Sequence, residues 1–255
     1  MRSMVTNTFP VSEARPLIKI PEDIPQIGYF GGEQGQEIEA SIKKDYKDFP
    51  VMQGGDYSGG IVRGSNPFRV VGIQSKLPVG VRVAGQGDLE TAMRVDALDL
   101  SGIYADTGLV LRTSEHPNLY LAENLMRQVK GRLGKRAKMP VVIPLYEIEL
   151  VKDKDSPHGL AFKLKEDAEI TYAPILNKSN NSNFDSKDVD AKTGLPTKVG
   201  KGNRTLWTND SGLSGLYLNR DLVLDSHNDN LADSYDSGRV VLVSTIEKAG
   251  SQAFF

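Results

Sequence analysis

Apolar residues recur four positions apart along one stretch of the chain, which places them on one face of a helix. The stretch predicts an amphipathic α-helix from Leu119 to Leu133. The apolar stripe of this helix is formed by Leu121, Leu125, Val129 and Leu133. A weaker pattern of the same kind, carried by Ile38 and Ile42, predicts a short helix from Gln36 to Tyr46.

Most of the other apolar residues lie in short runs bounded by Gly and Pro, a pattern typical of β-strands. We predict strands at residues 68–73, 79–83, 93–100, 108–111, 141–151, 159–164 and 170–175. The polar stretch from 177 to 203 predicts a long exposed loop. The expected fold class is α+β and β-rich, with a domain at 61–255 and one main helix at about 118–134.

Residues 1–60 show little regular pattern. Proline, which fixes φ and lacks an N–H group, interrupts the apolar pieces at Pro10, Pro16, Pro21 and Pro25. We therefore predict an extended N-terminal arm over residues 1–60. Such an arm can lie across a partner subunit, which would make the protein a homo-oligomer, or it can be a loose terminus.

Apolar and polar residues alternate most regularly near the end of the chain. Alternation with a period of two places the apolar side chains on one face of a strand and the others on the opposite face. The apolar positions of this pattern are Leu216, Leu218, Leu222 and Leu224. A second strand, Val240–Val243, is apolar throughout, as expected of a strand that is buried on both faces.

The loop between these strands, residues 225–237, has an unusual composition. Every residue in it is Asp, Asn, Ser, His or Tyr, except Leu231 and Ala232. A surface of Tyr, Ser and Asn on rigid strands is typical of antibody paratopes, whereas a plain Asx-rich turn is the alternative interpretation. We predict a ligand-binding surface within residues 206–243. Its outward side chains are those of Tyr217, Asn219, Asp221, Asp225, Ser226, His227, Asn228, Asp229, Asn230, Asp233, Ser234, Tyr235 and Asp236.

Composition narrows the function classes. The chain has 255 residues, a net charge of −2 and no Cys, so the sequence offers no disulfide, no thiolate nucleophile and no Cys-ligated metal. The small net charge gives no general attraction to nucleic acid or to anionic membranes. The start of the sequence lacks an apolar leader, and no apolar run reaches the roughly 20 residues that span a bilayer. We predict a soluble protein without membrane contact, located in the cytoplasm or in a phage virion.

Catalytic and metal-binding templates fit the sequence poorly. Its three histidines, His116, His158 and His227, stand in unlike contexts, and no Gly-x-Ser-x-Gly motif is present. Residues 225–236 carry oxygen ligands at alternate positions, as in a calcium loop, but Asn230 occupies the position that requires Gly. We therefore predict a protein that is not an enzyme, with no cofactor and no metal.

One basic segment supports an alternative function. It comprises Arg127, Lys130, Arg132, Lys135, Arg136 and Lys138. Cations at the end of a helix followed by a Gly-containing loop can track phosphates, and an OB-like β-barrel with one helix is a common binder of single strands. The alternative interpretation is that these residues only offset the helix dipole and remain solvated.

The C-terminal residues also resemble a known family. The segments Leu206–Asn209, Gly215–Asn219 and Gly238–Val243 are similar to the C-terminal end of C-type-lectin-fold domains, in particular to the variable proteins of diversity-generating retroelements. In that family, adenines of a template are mutagenised, typically in Asn codons. One change at either adenine yields Asp, His, Tyr, Ser, Thr or Ile, and five of the seven residue types that such codons encode dominate residues 225–237.

The resemblance implies a C-type-lectin-like C-terminal domain that displays a diversified surface and recognises a protein or a glycan, as in phage receptor recognition. The outward residues named above would contact the ligand. Trp207, Leu216, Leu218, Val240 and Leu242 would form the scaffold. A phage structural subunit is a further alternative, which overlaps with the first.

Overall fold

The computed structural model of the protein describes residues 26–227 and 230–244. Within these ranges the chain forms four α-helices and fourteen β-strands, and its fold class is α+β, as predicted. The helices are α1 (Gly32–Asp45), α2 (Pro67–Gln74), α3 (Gln86–Arg94) and α4 (Leu119–Leu133). The strands are β1 (Gln26–Tyr29), β2 (Asp56–Ser58), β3 (Ile61–Arg63), β4 (Val81–Val83), β5 (Ala105–Leu111), β6 (Val141–Pro144), β7 (Ile148–Lys152), β8 (Leu160–Leu164), β9 (Thr171–Tyr172), β10 (Asn180–Phe184), β11 (Arg204–Thr208), β12 (Leu213–Leu218), β13 (Leu224–Ser226) and β14 (Val241–Ser244).

A seven-stranded sheet forms the centre of the fold, in the order β10-β11-β13-β12-β5-β6-β9. β12 pairs antiparallel with β5 over its whole length. β13 lies on the other side of β12 and runs parallel to β11. β13 is thus inserted between two strands that precede it in the sequence, so both of its edges are covered.

A smaller sheet joins the two ends of the described chain. Its order is β1-β14-β4, and all of its pairs are antiparallel. Tyr29 of β1 stands opposite Val241 of β14. Two hairpins, β2–β3 and β7–β8, complete the β-structure of the described residues.

The alternating side chains of β5 connect two apolar layers. Leu109 and Leu111 pack into the layer that contains the stripe of α4, and Val110 faces the opposite layer with Leu216 and Phe184. All seven residues of β5 are buried. The central sheet is therefore covered on both faces, which makes β5 a rigid base for the residues at its start.

The prediction of a helix from Leu119 to Leu133 is confirmed by α4, and the prediction of a short helix near Ile38 is confirmed by α1. The strand predicted at 68–73 is wrong, because this segment forms α2. Asn66 Oδ1 accepts a hydrogen bond from the N–H of Arg69 at 2.9 Å, and Pro67 stands at the first helical position. α2 is buried on every side, so its apolar run shows no helical period.

Three further predictions are corrected. The segment 93–100 is not a strand, because α3 extends to Arg94 and the chain then turns. The strand predicted at 141–151 is two strands, β6 and β7, separated by a turn at Leu145–Glu147. The loop predicted at 177–203 contains β10, which pairs with β11.

The predicted arm is only partly within the structure. Residues 1–25 lie outside the described residues. Residues 26–60 are not an extended arm, because they form β1, α1 and β2. Ile38 and Ile42 of α1 pack into the main core, so the folded body begins well before the predicted boundary at residue 61.

Candidate functional site

A cleft of about 500 Å³ lies where the first residues of β5, the end of β12 and the loop 230–237 meet. We call it the tyrosine cleft. Seven of the predicted ligand-binding residues line it, and they are Tyr217, Asn219, Asp221, Asn230, Asp233, Tyr235 and Asp236. The structure thus brings together residues from both sides of the C-terminal loop, together with Pro67, Tyr104, Asp106, Gly215 and Leu231.

The buried carboxyl group of Asp106 is part of the cleft lining. Asp106 is 9% exposed, and the hydroxyl of Ser65 donates a hydrogen bond to its Oδ2. Burial raises the pKa of Asp106 from 3.8 to about 7, an effect that the hydrogen bond from Ser65 only partly offsets. Near neutral pH the cleft therefore contains a carboxyl group whose charge responds to whatever binds beside it.

Three tyrosine rings form one wall. Tyr104 stands between the other two, and its ring centroid lies 5.8 Å from that of Tyr217 and 6.0 Å from that of Tyr235. Both contacts are edge-to-face, with interplanar angles of 77° and 73°. Tyr104 donates a hydrogen bond to the backbone carbonyl of Ser65, which fixes the central ring.

Exposed carboxylates surround the mouth of the cleft. Asp221, Asp233 and Asp236 are exposed, and Arg220 is the basic residue among the lining residues described. The hydroxyl of Tyr235 donates to Asp233 Oδ2 at 3.1 Å, and this hydrogen bond raises the pKa of Tyr235. The cleft therefore carries an excess of negative charge beside neutral aromatic rings.

The hairpin turn between β12 and β13 positions one side of the mouth. The backbone N–H of Asn219 donates to the carbonyl of Val223 at 2.9 Å, and Asn219 Oδ1 accepts from the N–H of Asp221 at 2.9 Å. Leu222 has a φ of 58°, which closes the turn. The turn holds Asn219 and Asp221 at the rim while Leu218 stays buried.

The loop 230–237 is held in place by its two apolar residues, Leu231 and Ala232, and by hydrogen bonds. Leu231 is 2% exposed and packs into the main core, and Ala232 packs against the same cluster. The amide of Asn66 donates to the Ala232 carbonyl at 3.1 Å and to Ser234 Oγ at 2.9 Å. The loop is thus anchored at its centre, which leaves Asp233, Tyr235 and Asp236 facing the cleft and solvent.

Two of the predicted ligand-binding residues do not face outward. Asp225 is 1% exposed and Ser226 is fully buried, because β13 lies between two neighbours. Asp225 Oδ1 accepts the backbone N–H of His227 at 2.9 Å. The expectation that Asp225 and Ser226 contact a ligand from the surface is therefore wrong.

The remaining predicted residues lie elsewhere. Ser234 is half-buried against Asn66, and His227 is exposed, with its ring 5.6 Å from that of Trp207 in an edge-to-face contact. Neither residue lines the tyrosine cleft among the lining positions that the structure describes. Asn228 and Asp229 lie outside the described residues.

A buried arginine that the sequence analysis missed holds this part of the sheet together. Arg112 donates to the Leu176 carbonyl at 2.7 Å, to Ser214 Oγ at 2.8 Å and to Ser226 Oγ at 2.9 Å. Loss of hydration lowers the pKa of Arg112 to about 10. Arg112 thus ties the end of β5 to β12 and β13, which explains why Ser226 is structural. The sequence signal was an Arg directly after an apolar strand.

A second cavity, of about 230 Å³, lies at the first turn of α3, against the other face of the central sheet. We call it the Gln86 cavity. Arg82 forms a bidentate ion pair with Asp88, at 2.6 and 2.9 Å, and the Lys192 ammonium lies 2.6 Å from Glu169. The sequence pattern indicated no site here, because the residues that line the cavity come from distant segments.

Four cations of the basic segment, Arg127, Lys130, Lys135 and Lys138, are exposed around the end of α4. Arg132 is also exposed, and it donates to the Ala168 carbonyl at 3.0 Å. The Arg136 side chain lies outside the described part of the chain. The segment forms a basic edge on the face of the protein that α4 covers.

Within residues 26–227 and 230–244, no group of three or more His, Asp or Glu side chains is arranged to hold a metal ion. None of the described helices is both long enough and apolar enough to cross a membrane. The chain matches no family model, no curated protein and no solved structure.

Proposed function

We propose that the protein is a non-catalytic binding protein that recognises its ligand through the tyrosine cleft. The observation that supports this most directly is the gathering of seven predicted ligand-binding residues around one cavity. Its volume of about 500 Å³ lies within the usual range of ligand sites, about 300–1,000 Å³. Aromatic rings with short polar side chains around them provide contact area and hydrogen bonds, as in a paratope.

We further propose that this surface is diversified and that the chain is a C-type-lectin-fold variable protein of a diversity-generating retroelement, directed at a protein or a glycan. Backbone hydrogen bonds support this proposal, because they hold the cleft whatever side chains it carries. The N–H of Tyr104 donates to the Ser237 carbonyl at 3.2 Å, and the N–H of Gly238 donates to the Tyr235 carbonyl at 2.8 Å. Gly102 is bonded in the same way to the Arg220 carbonyl, at 2.9 Å.

Substitution of the exposed rim tests the separation of scaffold and surface. A variant in which Asp221, Asn230, Asp233, Tyr235 and Asp236 are all changed to Ser should retain the fold, with a melting temperature within a few degrees of the parent. The matched control, Leu216→Ser with Leu218→Ser, should unfold, because both leucines are 1% exposed. Thermal melts followed by circular dichroism provide the measurement. Unfolding of the rim variant would contradict the proposal.

The diversified origin has a separate test in the DNA. We expect a near-copy of the segment that encodes residues 206–243, differing only at adenines and lying near a reverse-transcriptase gene. Sequencing of the surrounding locus gives the answer. A locus without such a copy would remove the retroelement proposal and would leave the binding cleft to be judged by the substitution experiment.

The exposed basic edge at the end of α4 favours a second candidate function, the binding of single-stranded nucleic acid. Binding of single-stranded DNA should then weaken steeply with salt and should be lost in the Lys135→Glu/Arg136→Glu variant. Fluorescence anisotropy with a labelled oligonucleotide measures both effects. The same affinity in the parent and in the variant would exclude this function for the basic segment.

A further inference from the structure

We propose that the tyrosine cleft binds a cationic side chain, a lysine ammonium or an arginine guanidinium, presented by a protein partner. This inference rests on the proposed function and specifies the ligand chemistry of the same site. It is drawn from three features of the cleft: its unpaired carboxylates, its aromatic wall and the depth of its floor.

Within residues 26–227 and 230–244, the carboxylates of the mouth form no ion pair with a basic side chain. Among the residues that the structure describes, no Lys, Arg or His lies within 4.0 Å of the carboxylate oxygens of Asp221, Asp233 or Asp236. Arg220 also lines the cleft, but it forms no ion pair with a carboxylate of the described residues. Several like charges around one concave surface raise the local concentration of a ligand of the opposite charge.

The aromatic wall suits the same ligand. The face of a tyrosine ring is electron-rich and attracts an ammonium or guanidinium group within about 6 Å of its centroid. Tyr104, Tyr217 and Tyr235 all line the cleft. Tyr104 and Tyr235 have raised pKa values, Tyr104 mainly through burial and Tyr235 mainly through its hydrogen bond to Asp233, so both rings remain neutral phenols at physiological pH.

The floor allows a long side chain to enter. Gly215 contributes no side chain. The nearest atoms to a Cβ at this position would be Leu231 Cδ2 at 3.8 Å, Pro67 Cγ at 3.9 Å and Tyr217 Cδ1 at 3.9 Å, which are ordinary contacts. The apolar groups around Gly215 suit the methylene stem of a lysine or arginine. Asp106 lines the same cleft and would be favoured in its charged form by an approaching cation.

The protein itself contains this arrangement with its cation in place. In the Gln86 cavity, the guanidinium carbon of Arg82 lies 4.4 Å from the centroid of the Tyr146 ring. The same guanidinium lies 2.6 Å from Asp88. Tyrosine and carboxylate together thus hold a basic group on one face of the sheet. The tyrosine cleft offers the same two groups on the other face, where the basic group would come from a partner.

A neutral glycan explains these features less well. A sugar stacks on tyrosine and forms hydrogen bonds with Asp and Asn, but it gains nothing from a net negative charge. An acidic glycan would be repelled. The charge of the cleft therefore favours a basic protein segment.

The test uses small probes and the whole folded chain. N-acetyl-lysinamide, N-acetyl-argininamide and the peptide acetyl-Gly-Ser-Lys-Ser-Gly-amide are titrated into ¹⁵N-labelled protein. N-acetyl-norleucinamide is the neutral counterpart of the lysine probe, methylammonium is the free cation, and neutral methyl glycosides represent a sugar ligand. We expect saturable shifts of the backbone amides at 104–106 and 217–221 with the lysine and arginine probes. These shifts should weaken with salt, and the norleucine probe should cause none.

Variants locate the effect. Asp233→Asn with Asp236→Asn, and Tyr235→Ala alone, should each weaken binding of the lysine peptide at least threefold. The matched controls Asp48→Asn and Tyr172→Ala change an exposed residue of the same type outside the cleft and should bind as the parent does. Circular dichroism melts show that each variant is folded.

Each outcome decides between the proposals. Equal binding of the norleucine probe, or equal loss in the control variants, would overturn the cationic ligand. Binding of a glycoside at the cleft without binding of the lysine probes would overturn it too and would leave the proposed binding function standing. No response to any probe would also count against it, while the retroelement proposal would still be decided by the DNA. Stronger binding of methylammonium than of the peptide would indicate a free amine as the ligand rather than a protein.

Discussion

Two cavities lie on opposite faces of the same two strands and differ in their charged side chains. Those of the Gln86 cavity form ion pairs, whereas the exposed carboxylates of the tyrosine cleft form none among the described residues. On β5, Asp106 lines the tyrosine cleft and its neighbour Thr107 lines the Gln86 cavity. On β12, Tyr217 lines the cleft and Leu216 lines the cavity. The alternation of a strand thus supplies both sites, and their difference arises from the segments that cover each face.

The polar side chains at the Gln86 cavity form hydrogen bonds with other groups of the protein. Of the residues that line it, Thr107 donates from Oγ1 to Gln86 Oε1 at 3.1 Å, and Gln86 Nε2 donates to Glu90 Oε1 at 3.0 Å. Glu90 lies behind the lining and accepts hydrogen bonds from both terminal nitrogens of Arg204. A buried polar chain of this kind stabilises one arrangement of the fold. The carboxylates at the mouth of the tyrosine cleft are instead exposed, and among the described residues they form no ion pair. The polar groups at the Gln86 cavity therefore stabilise the fold, whereas those of the tyrosine cleft can bind a ligand.

The largest expected effect on stability comes from removing the buried ion pair between Glu90 and Arg204. Glu90→Gln removes the charge that pairs with Arg204 and leaves a buried guanidinium uncompensated. We expect a loss of about 3–5 kcal/mol in the free energy of unfolding, measured by urea denaturation. A loss below about 1 kcal/mol would mean that the pair is solvated, and the contrast between the two cavities would fail.

The second effect concerns the floor of the cleft. The pKa of Asp106 is raised from 3.8 to about 7, so the folded protein keeps this proton while the unfolded chain releases it. Stability should therefore fall as the pH rises from about 4 to about 7, by on the order of 4 kcal/mol in total. Below about pH 4 both states are protonated and the effect vanishes.

Urea denaturation across this pH range measures that slope. Asp106→Asn removes the titrating group, and its amide oxygen can still accept the hydrogen bond from Ser65. The slope contributed by this residue should be absent in the variant. The same slope in both proteins would show that Asp106 is ionised in the fold at neutral pH.

A smaller effect is expected from filling the cleft. Gly215→Met places a flexible side chain against Leu231 and Pro67, where the contacts of a Cβ are ordinary. The free energy of unfolding should fall by about 1–3 kcal/mol, the usual cost of adding methylene groups beside packed side chains. Binding of the lysine peptide should be lost. Gly131→Met is the matched control, since a Cβ at Gly131 meets no other atom within 4 Å, and it should leave binding unchanged.

The smallest effect is expected at the mouth. Asp233→Asn with Asp236→Asn removes two exposed charges of the same sign. Stability should stay within about 0.5 kcal/mol of the parent, with a slight increase if like-charge repulsion is relieved. Urea denaturation beside Asp48→Asn is the measurement. A loss above about 1 kcal/mol in the free energy of unfolding would show that these carboxylates stabilise the fold and are not free to bind a ligand.

Local patterns predicted the parts of the fold that depend on local spacing. The four-residue stripe of α4 and the buried positions Leu216 and Leu218 belong to this group. α2 was missed because burial on every side erases the amphipathic period. The cap formed by Asn66 and the Pro67 that follows it were the signals that could have revealed α2.

Only the part of the candidate site that residues 217–236 form could be predicted from the sequence. Residues 217–236 carried a compositional signal, and seven of the predicted residues line the cleft. Asp106 carried none, because its hydrogen-bond partner Ser65 is 41 positions away in the chain. The burial of Asp225 and Ser226 was equally hidden, since it follows from the insertion of β13 between β11 and β12.

The pairing of β1 with β14 has a consequence for the synthesis of the protein. β1 leaves the ribosome long before its neighbour β14, which is complete only when Ser244 has been added. The loop 230–237 runs between β13 and β14, so the chain that follows it joins the small sheet only then. Contacts between such distant segments form late in folding. A nascent or truncated chain should therefore lack the cleft, and only molecules with both sheets complete would present the binding surface to a partner.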